Sequence, residues 1–354
     1  MAADTPISDA EVSEGPVAVR HGSRQRILTA VRIIFTVGVL VAVVYTTTTQ
    51  WHEVKSYLTS IPWLSAVLSL TFVLLGLVGS TFAWRAALAH VGHDISVGRA
   101  SRIYLIGLLA KYLPGSVWAF VMQMELGRRA GLPRSRAFLA SIVVTGLSTT
   151  VALVIGILGL PALFDVGGAA VLAIAVLVPV SMVCAHPRVL TWLVQRVLKI
   201  FRRPPLRSPI TWRGVGVVSG WCALMWLAYG LHLWLLASSL AAPGVGGVLR
   251  SLGAVALGMT AGMLVFIVPS GLGVREAMIV AALLPYVPAG TALGMALASR
   301  MLFIVGDLLA AGFAAGLGAF AALRFGSWAA RQRGGLGSRA AVGPLRRRSL
   351  PEDV

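Results

Sequence analysis

Acidic residues are scarce in this chain. It carries 12 aspartates and glutamates against 30 lysines and arginines, and six of the acids (Asp4, Asp9, Glu11, Glu14, Glu352 and Asp353) lie in the two tails. The remainder are Glu53, Asp94, Glu125, Asp165, Glu276 and Asp307, no two of them close in sequence. A metal-dependent transferase holds its cation with carboxylates. The sequence shows no carboxylate cluster, so no metal site is expected. Cysteine is limited to Cys184 and Cys222, each within or at the edge of an apolar run, which gives neither a disulfide framework nor a metal-type pair. Of the six histidines, only His232 falls mid-span. G-x-S-x-G, P-loop and H-E-x-x-H motifs are missing, and Gly271-Leu272-Gly273 lacks the strand context of a nucleotide loop. These absences predict no cofactor and no catalytic residue.

Apolar sequence is abundant. Hydrophobic residues make up 57% and charged residues 12%, against roughly 25% charged in soluble domains. Mean hydropathy is +0.86. Several runs approach or exceed the roughly 20 residues that cross a bilayer as a helix. Strand-like alternation is not seen, so the expected fold class is an all-α integral membrane protein. The net charge of +18 sits in loops and tails between apolar runs. That placement excludes a nucleic-acid reading and fits cytoplasmic positive loops facing anionic headgroups. Residues 1–26 are too long and acidic for a signal-peptide n-region, so the first apolar run is read as a retained span. Only Lys55, Lys111 and Lys199 are lysines; this arginine bias, with abundant Ala, Gly and Val, points to a bacterial inner membrane.

The pattern divides the chain into a disordered cytoplasmic tail (1–24), a transmembrane domain (25–325) and a basic cytoplasmic tail (326–354). Six spans are expected at about 27–46, 63–84, 137–160, 168–185, 214–238 and 291–322. The basic amphipathic stretch 187–203 is expected along the membrane surface. Two further apolar regions, 103–125 and 250–285, are broken, at Lys111-Tyr112-Leu113-Pro114-Gly115 and at Pro269-Ser270-Gly271-Leu272-Gly273-Val274-Arg275-Glu276. Positive charge flanks 103–125 on both sides (Arg99 and Arg102, then Arg128, Arg129, Arg134 and Arg136), so this segment should enter and leave on the cytoplasmic side. With both termini cytoplasmic, parity makes 250–285 begin and end outside. The expectation is a polytopic bundle with two re-entrant hairpins in inverted-topology repeats. The alternative is that both broken segments cross fully, giving eight or more spans. Broken segments at corresponding places in two halves point to a substrate site.

The candidate substrate-binding residues follow from those breaks: Lys111, Tyr112, Pro114 and Gly115 at the first tip, and Gly271, Gly273, Arg275 and Glu276 at the second. Lys111 is either a phosphate-binding cation or one half of a structural ion pair. Glycines before a helix start leave N–H groups free for an anion, and Arg275 can add a bidentate grip. Glu276 can cap that helix or pair with Arg275, Arg300 or Lys111. Arg300 and Asp307 share a face of the last span; Arg300 should face the second hairpin, and Asp307 pairs with it indirectly or couples a proton. Glu125 and Arg129 are expected as a local helix pair. Gly258-x-x-x-Gly262 and Gly312-x-x-x-Gly316 signal close helix packing.

Leu109-Ala110-Lys111-Tyr112-Leu113-Pro114-Gly115-Ser116-Val117-Trp118, followed by Arg128-Arg129-Ala130-Gly131-Leu132, resembles the first signature of the lysylphosphatidylglycerol synthase transmembrane-region family, also called flippase-like domain proteins. Pro269 to Ala277 resembles its second signature, and Ser299-Arg300 a third. The similarity covers roughly 25–325. It implies a lipid-translocating module, here without the soluble aminoacyl-transferase domain of two-domain relatives, and so no lipid lysylation by this chain alone. Relatives often carry a Glu-Arg pair in the span after the first hairpin, where this chain reads Val144-Thr145-Gly146-Leu147. The resulting expectation is a flippase for an anionic phospholipid or a polyprenyl-phosphate-linked glycan, with Lys111, Arg275 and Arg300 on the phosphate. The rival expectation is a non-transporting membrane partner of a separately encoded glycosyltransferase or lipid synthase.

Overall fold

The computed structural model describes residues 48, 51–113, 117–163, 168–200, 202, 204–206, 208–238, 244–264 and 271–339. The expected first span, 27–46, and the tip residues Pro114, Gly115, Pro269 and Ser270 lie outside them. The described residues form helices and no strand. Five helices are long and apolar enough to cross a membrane.

The first helices among the described residues are a short one, α1 (Trp51–Ser60), and a long apolar one, α2 (Trp63–His90). The first hairpin follows: α3 (Val97–Leu108), a 3-10 turn (Leu109–Tyr112) and α4 (Trp118–Arg129). Then come α5 (Arg134–Leu163), α6 (Gly168–Ala185), α7 (Pro187–Ile200) and α8 (Trp212–Ser238). The second hairpin is α9 (Val245–Leu264) with α10 (Val274–Leu283), and α11 (Ala289–Arg339) closes the bundle.

Both broken segments fold as hairpins whose arms pack on each other. At 12 residues each, α3 and α4 are about 18 Å long, too short for a core of about 30 Å. The second hairpin differs: α9 begins at Val245, ahead of the expected 250, and its 20 residues reach a spanning length, whereas α10 has only 10. Gly258 and Gly262 bring these arms together, since a Cβ on Gly262 would lie 2.9 Å from the Cα of Gly271. Gly271 itself has φ +64°, a conformation that favours glycine. Gly312 and Gly316 pack on nothing: a Cβ at either meets no atom within 4 Å among the described residues.

Three elements depart from the sequence reading. The stretch 47–62, which falls between the first two expected spans, contains α1, which buries Val54 and Tyr57. Tyr57 donates to the Leu236 carbonyl (3.1 Å), and Glu53 accepts from the Gly290 N–H (3.0 Å), satisfying an orphan donor at the start of α11. The amphipathic helix α7 turns 70° from the preceding helix, as a surface helix would. Its Leu190, Val194 and Leu198 are nevertheless buried against protein, while Trp192 and Ile200 stay exposed. Finally, α11 continues to Arg339, so the basic tail begins as helix.

Two clusters of buried apolar side chains fill the bundle. One centres on Leu77, Leu233, Ile279 and Met295, the other on Trp84, Leu88, Leu139 and Leu198. Between them lies a cavity bounded by Met225, Tyr229 and Phe303 of the first cluster and Val144 of the second.

Candidate functional site

The cavity measures about 280 Å³ and draws on both hairpins. Lys111 and Tyr112 reach it from the first break, Gly271 and Arg275 from the second, and Arg300 from α11. Five sequence-predicted candidates, distant in the chain, therefore share one space. Glu276 and Asp307 stand behind them as partners. Gly273 caps α10 with φ +85°.

Helix α11 ties both hairpins through ion pairs seven residues apart. Lys111 Nζ lies 2.6 Å from Asp307 Oδ2, and the Tyr112 hydroxyl donates to the same oxygen at 2.5 Å. Asp307 Oδ1 is buried without a partner among the described residues. One helical face further along, Arg300 Nη1 lies 2.5 Å from Glu276 Oε1. The other Glu276 oxygen accepts from the Gly273 N–H at 2.7 Å. Two expectations change here. Asp307 pairs with Lys111 and Tyr112 of the first hairpin, whereas Arg300 is taken by Glu276 of the second. The Gly273 N–H is already taken by Glu276, so it is not the free donor expected at this helix start.

Arg275 is the exception among the cavity's cations. It is 6% exposed and has no carboxylate partner among the described residues. One terminal nitrogen donates to Ser299 Oγ (2.8 Å), its guanidinium carbon lies 4.1 Å over the Phe303 ring, and Nε is buried with no acceptor. Three cations face two carboxylates across this space, so the site holds one excess positive charge. A buried charge without a counterion is costly unless something compensates it.

Sequence reading missed the neutral polar groups of the wall. Gln123 Oε1 accepts from Ser141 Oγ (2.5 Å), and Ser141 accepts from Trp84 Nε1 (2.9 Å). Ser141 Oγ also donates to the Ala137 carbonyl (2.9 Å), and Gln123 contributes a neutral polar group to the cavity lining. Val144 and Thr145, where relatives are expected to carry a Glu-Arg pair, also line the cavity, so this part of the wall is uncharged. At the exposed end of α4, Glu125 binds Arg128 and Arg129 as the helix spacing suggests, and Arg134 of α5 as well. Hydrogen bonds from Arg128, Arg134 and Arg129 hold its carboxyl well below the usual carboxylate range.

Fold and cavity together define a polytopic helical membrane protein with two broken hairpins closing on a buried, cationic pocket. The chain belongs to the family described as the lysylphosphatidylglycerol synthase TM region, whose match spans residues 29–329. The match is to a membrane domain of lipid-related function. A search of curated proteins finds no match.

Proposed function

We propose that this chain is a lipid flippase of the bacterial inner membrane, with both termini cytoplasmic, and that it carries an anionic lipid by its phosphate. The observation that carries the reading is Arg275: a buried guanidinium facing the cavity, without a carboxylate, where both hairpins converge. The phosphate is held there, in a cavity whose lining also includes Gln123. Lys111 and Arg300 are neutralised at rest by Asp307 and Glu276, and become available only as those pairs open. Because each pair ties one hairpin to α11, opening a pair also frees that hairpin. Anion binding and hairpin movement are thereby coupled, and Asp307 is the residue placed to take a proton as Lys111 leaves.

Cavity size bears on the substrate. At about 280 Å³ it lies near the low end of ligand pockets, about 300–1,000 Å³. It takes a small headgroup while the acyl chains stay in the bilayer, which favours a phospholipid over a lipid-linked glycan. Native mass spectrometry of gently purified protein tests this. The wild type should retain an anionic phospholipid and R275A should lose it; equal retention, or retention of neutral lipid alone, contradicts the proposal.

A further inference from the structure

A buried polar chain runs behind Arg275, away from the cavity. Ser69 of α2 lies 2.7 Å from His232 Nδ1 of α8, and His232 Nε2 lies 2.8 Å from Ser299 Oγ of α11, the oxygen that accepts from Arg275. Ser69, His232 and Ser299 are all essentially inaccessible to solvent.

The hydrogens of this chain can be assigned by counting donors. Ser69 Oγ donates to the His232 carbonyl (2.9 Å), so toward the ring it acts as acceptor, and Nδ1 carries the proton. Nε2 is then an acceptor for Ser299 O–H. Ser299 keeps its lone pairs for Arg275. The opposite tautomer gives Ser299 two incoming donors and leaves its own hydrogen with no acceptor other than Nε2 among the described residues. Direction therefore runs one way: Arg275 to Ser299 to His232 Nε2. The ring is fixed from the side as well, with its edge against Phe303 (centroids 5.0 Å apart), the same ring that lies under the guanidinium.

We infer that His232 and Ser299 are positioning residues for Arg275. A neutral, Nδ1-protonated imidazole orients the Ser299 hydroxyl as an acceptor. That acceptor, with Phe303, fixes the guanidinium so that its remaining terminal N–H groups serve an anion in the cavity. Without the Nε2 acceptor, Ser299 turns its hydrogen elsewhere and the guanidinium loses its anchor without losing its charge. The inference rests on the anion-site reading of Arg275.

The test uses full-length protein in detergent and dihexanoyl phosphatidylglycerol as the probe, with binding followed by calorimetry. A glutamine at 232 can place its amide oxygen near the Nε2 position, whereas an asparagine is too short to reach Ser299. H232Q should bind the probe within about twofold of wild type, and H232N and S299A about tenfold more weakly. Wild-type affinity in H232N and S299A overturns the inference. So does equal weakening by H232Q and H232N, which marks a merely structural histidine. A second readout uses only the wild-type fold: ¹⁵N-histidine spectra should show His232 protonated at Nδ1, with the Nε2 signal shifting in S299A. An Nε2-protonated ring contradicts the assignment. R275A separates the two levels: if it binds the probe as tightly as wild type, the anion-site reading itself fails, whatever the histidine variants do.

Discussion

Lys111 and Asp307 are a buried pair in which each charge justifies the other. Asp307 is almost fully enclosed (side chain 1% exposed), Lys111 less so (25%). Removing the lysine leaves a carboxylate stranded in an apolar bundle, a change that costs about 3–5 kcal/mol. K111A should therefore lower the thermal midpoint sharply, and K111A/D307A should restore much of the loss. A double-mutant cycle on unfolding midpoints checks this, and additive losses would show that the two residues do not interact. Glu125 offers a pH-dependent case at the surface. Its carboxyl titrates below the ordinary range, so the stabilisation from its arginines is full above the unfolded-state pKa and fades as pH falls toward the folded one. The stability gap between wild type and E125Q should hold near about pH 6 and narrow progressively as pH falls below about 4. Charged residues in apolar segments were legible from sequence alone, because charge at that depth needs a reason. Their pairing was not: Asp307 could be assigned to Lys111 only once the fold set the first hairpin beside α11. Ser69 and Gln123 carried no signal, since neutral polar residues are ordinary in membrane helices, and Ser299 stood out only through the Ser299-Arg300 resemblance.

Helices and hairpins show the same division. The two breaks were visible as proline and glycine in apolar runs, and both fold into hairpins. What sequence did not show was that α9 reaches a spanning length while α3 does not, nor that 47–62 holds a packed helix. In α1 the buried residues are only Val54 and Tyr57, too few to stand out as a periodic face. Glycine spacing was an equally partial guide. Gly258 and Gly262 lie against the second hairpin's return arm, while Gly312 and Gly316 meet no neighbour among the described residues. The contrast predicts opposite outcomes. G271A combines a positive φ with an added Cβ only 2.7 Å from Gly262 Cα, so it should cost about 1–3 kcal/mol and loosen the hairpin. G312A should stay within about 0.5 kcal/mol of wild type. Thermal unfolding of the two variants side by side tests the hairpin packing.

At the scale of the whole molecule, the account joins two hairpins to one helix. The charge distribution predicts that the hairpin ends lie on opposite sides of the membrane, and this can be probed directly. In chains lacking Cys184 and Cys222, R129C should react with an impermeant maleimide from the cytoplasm and Y286C from outside; labelling of both from one side contradicts the inverted arrangement. The central claim concerns the cavity between the hairpins, where Lys111 and Arg275 meet from segments far apart in sequence. It is tested most directly by lipid movement. Purified protein in vesicles carrying headgroup-labelled phosphatidylglycerol should expose the inner-leaflet label to an external quencher. R275A, equally well folded and inserted, should do so at least about tenfold more slowly, the scale expected for losing a charged hydrogen-bonding partner of about 1.5–3 kcal/mol. Label movement in R275A vesicles at the wild-type rate, or no movement beyond protein-free vesicles in the wild type, would contradict the account.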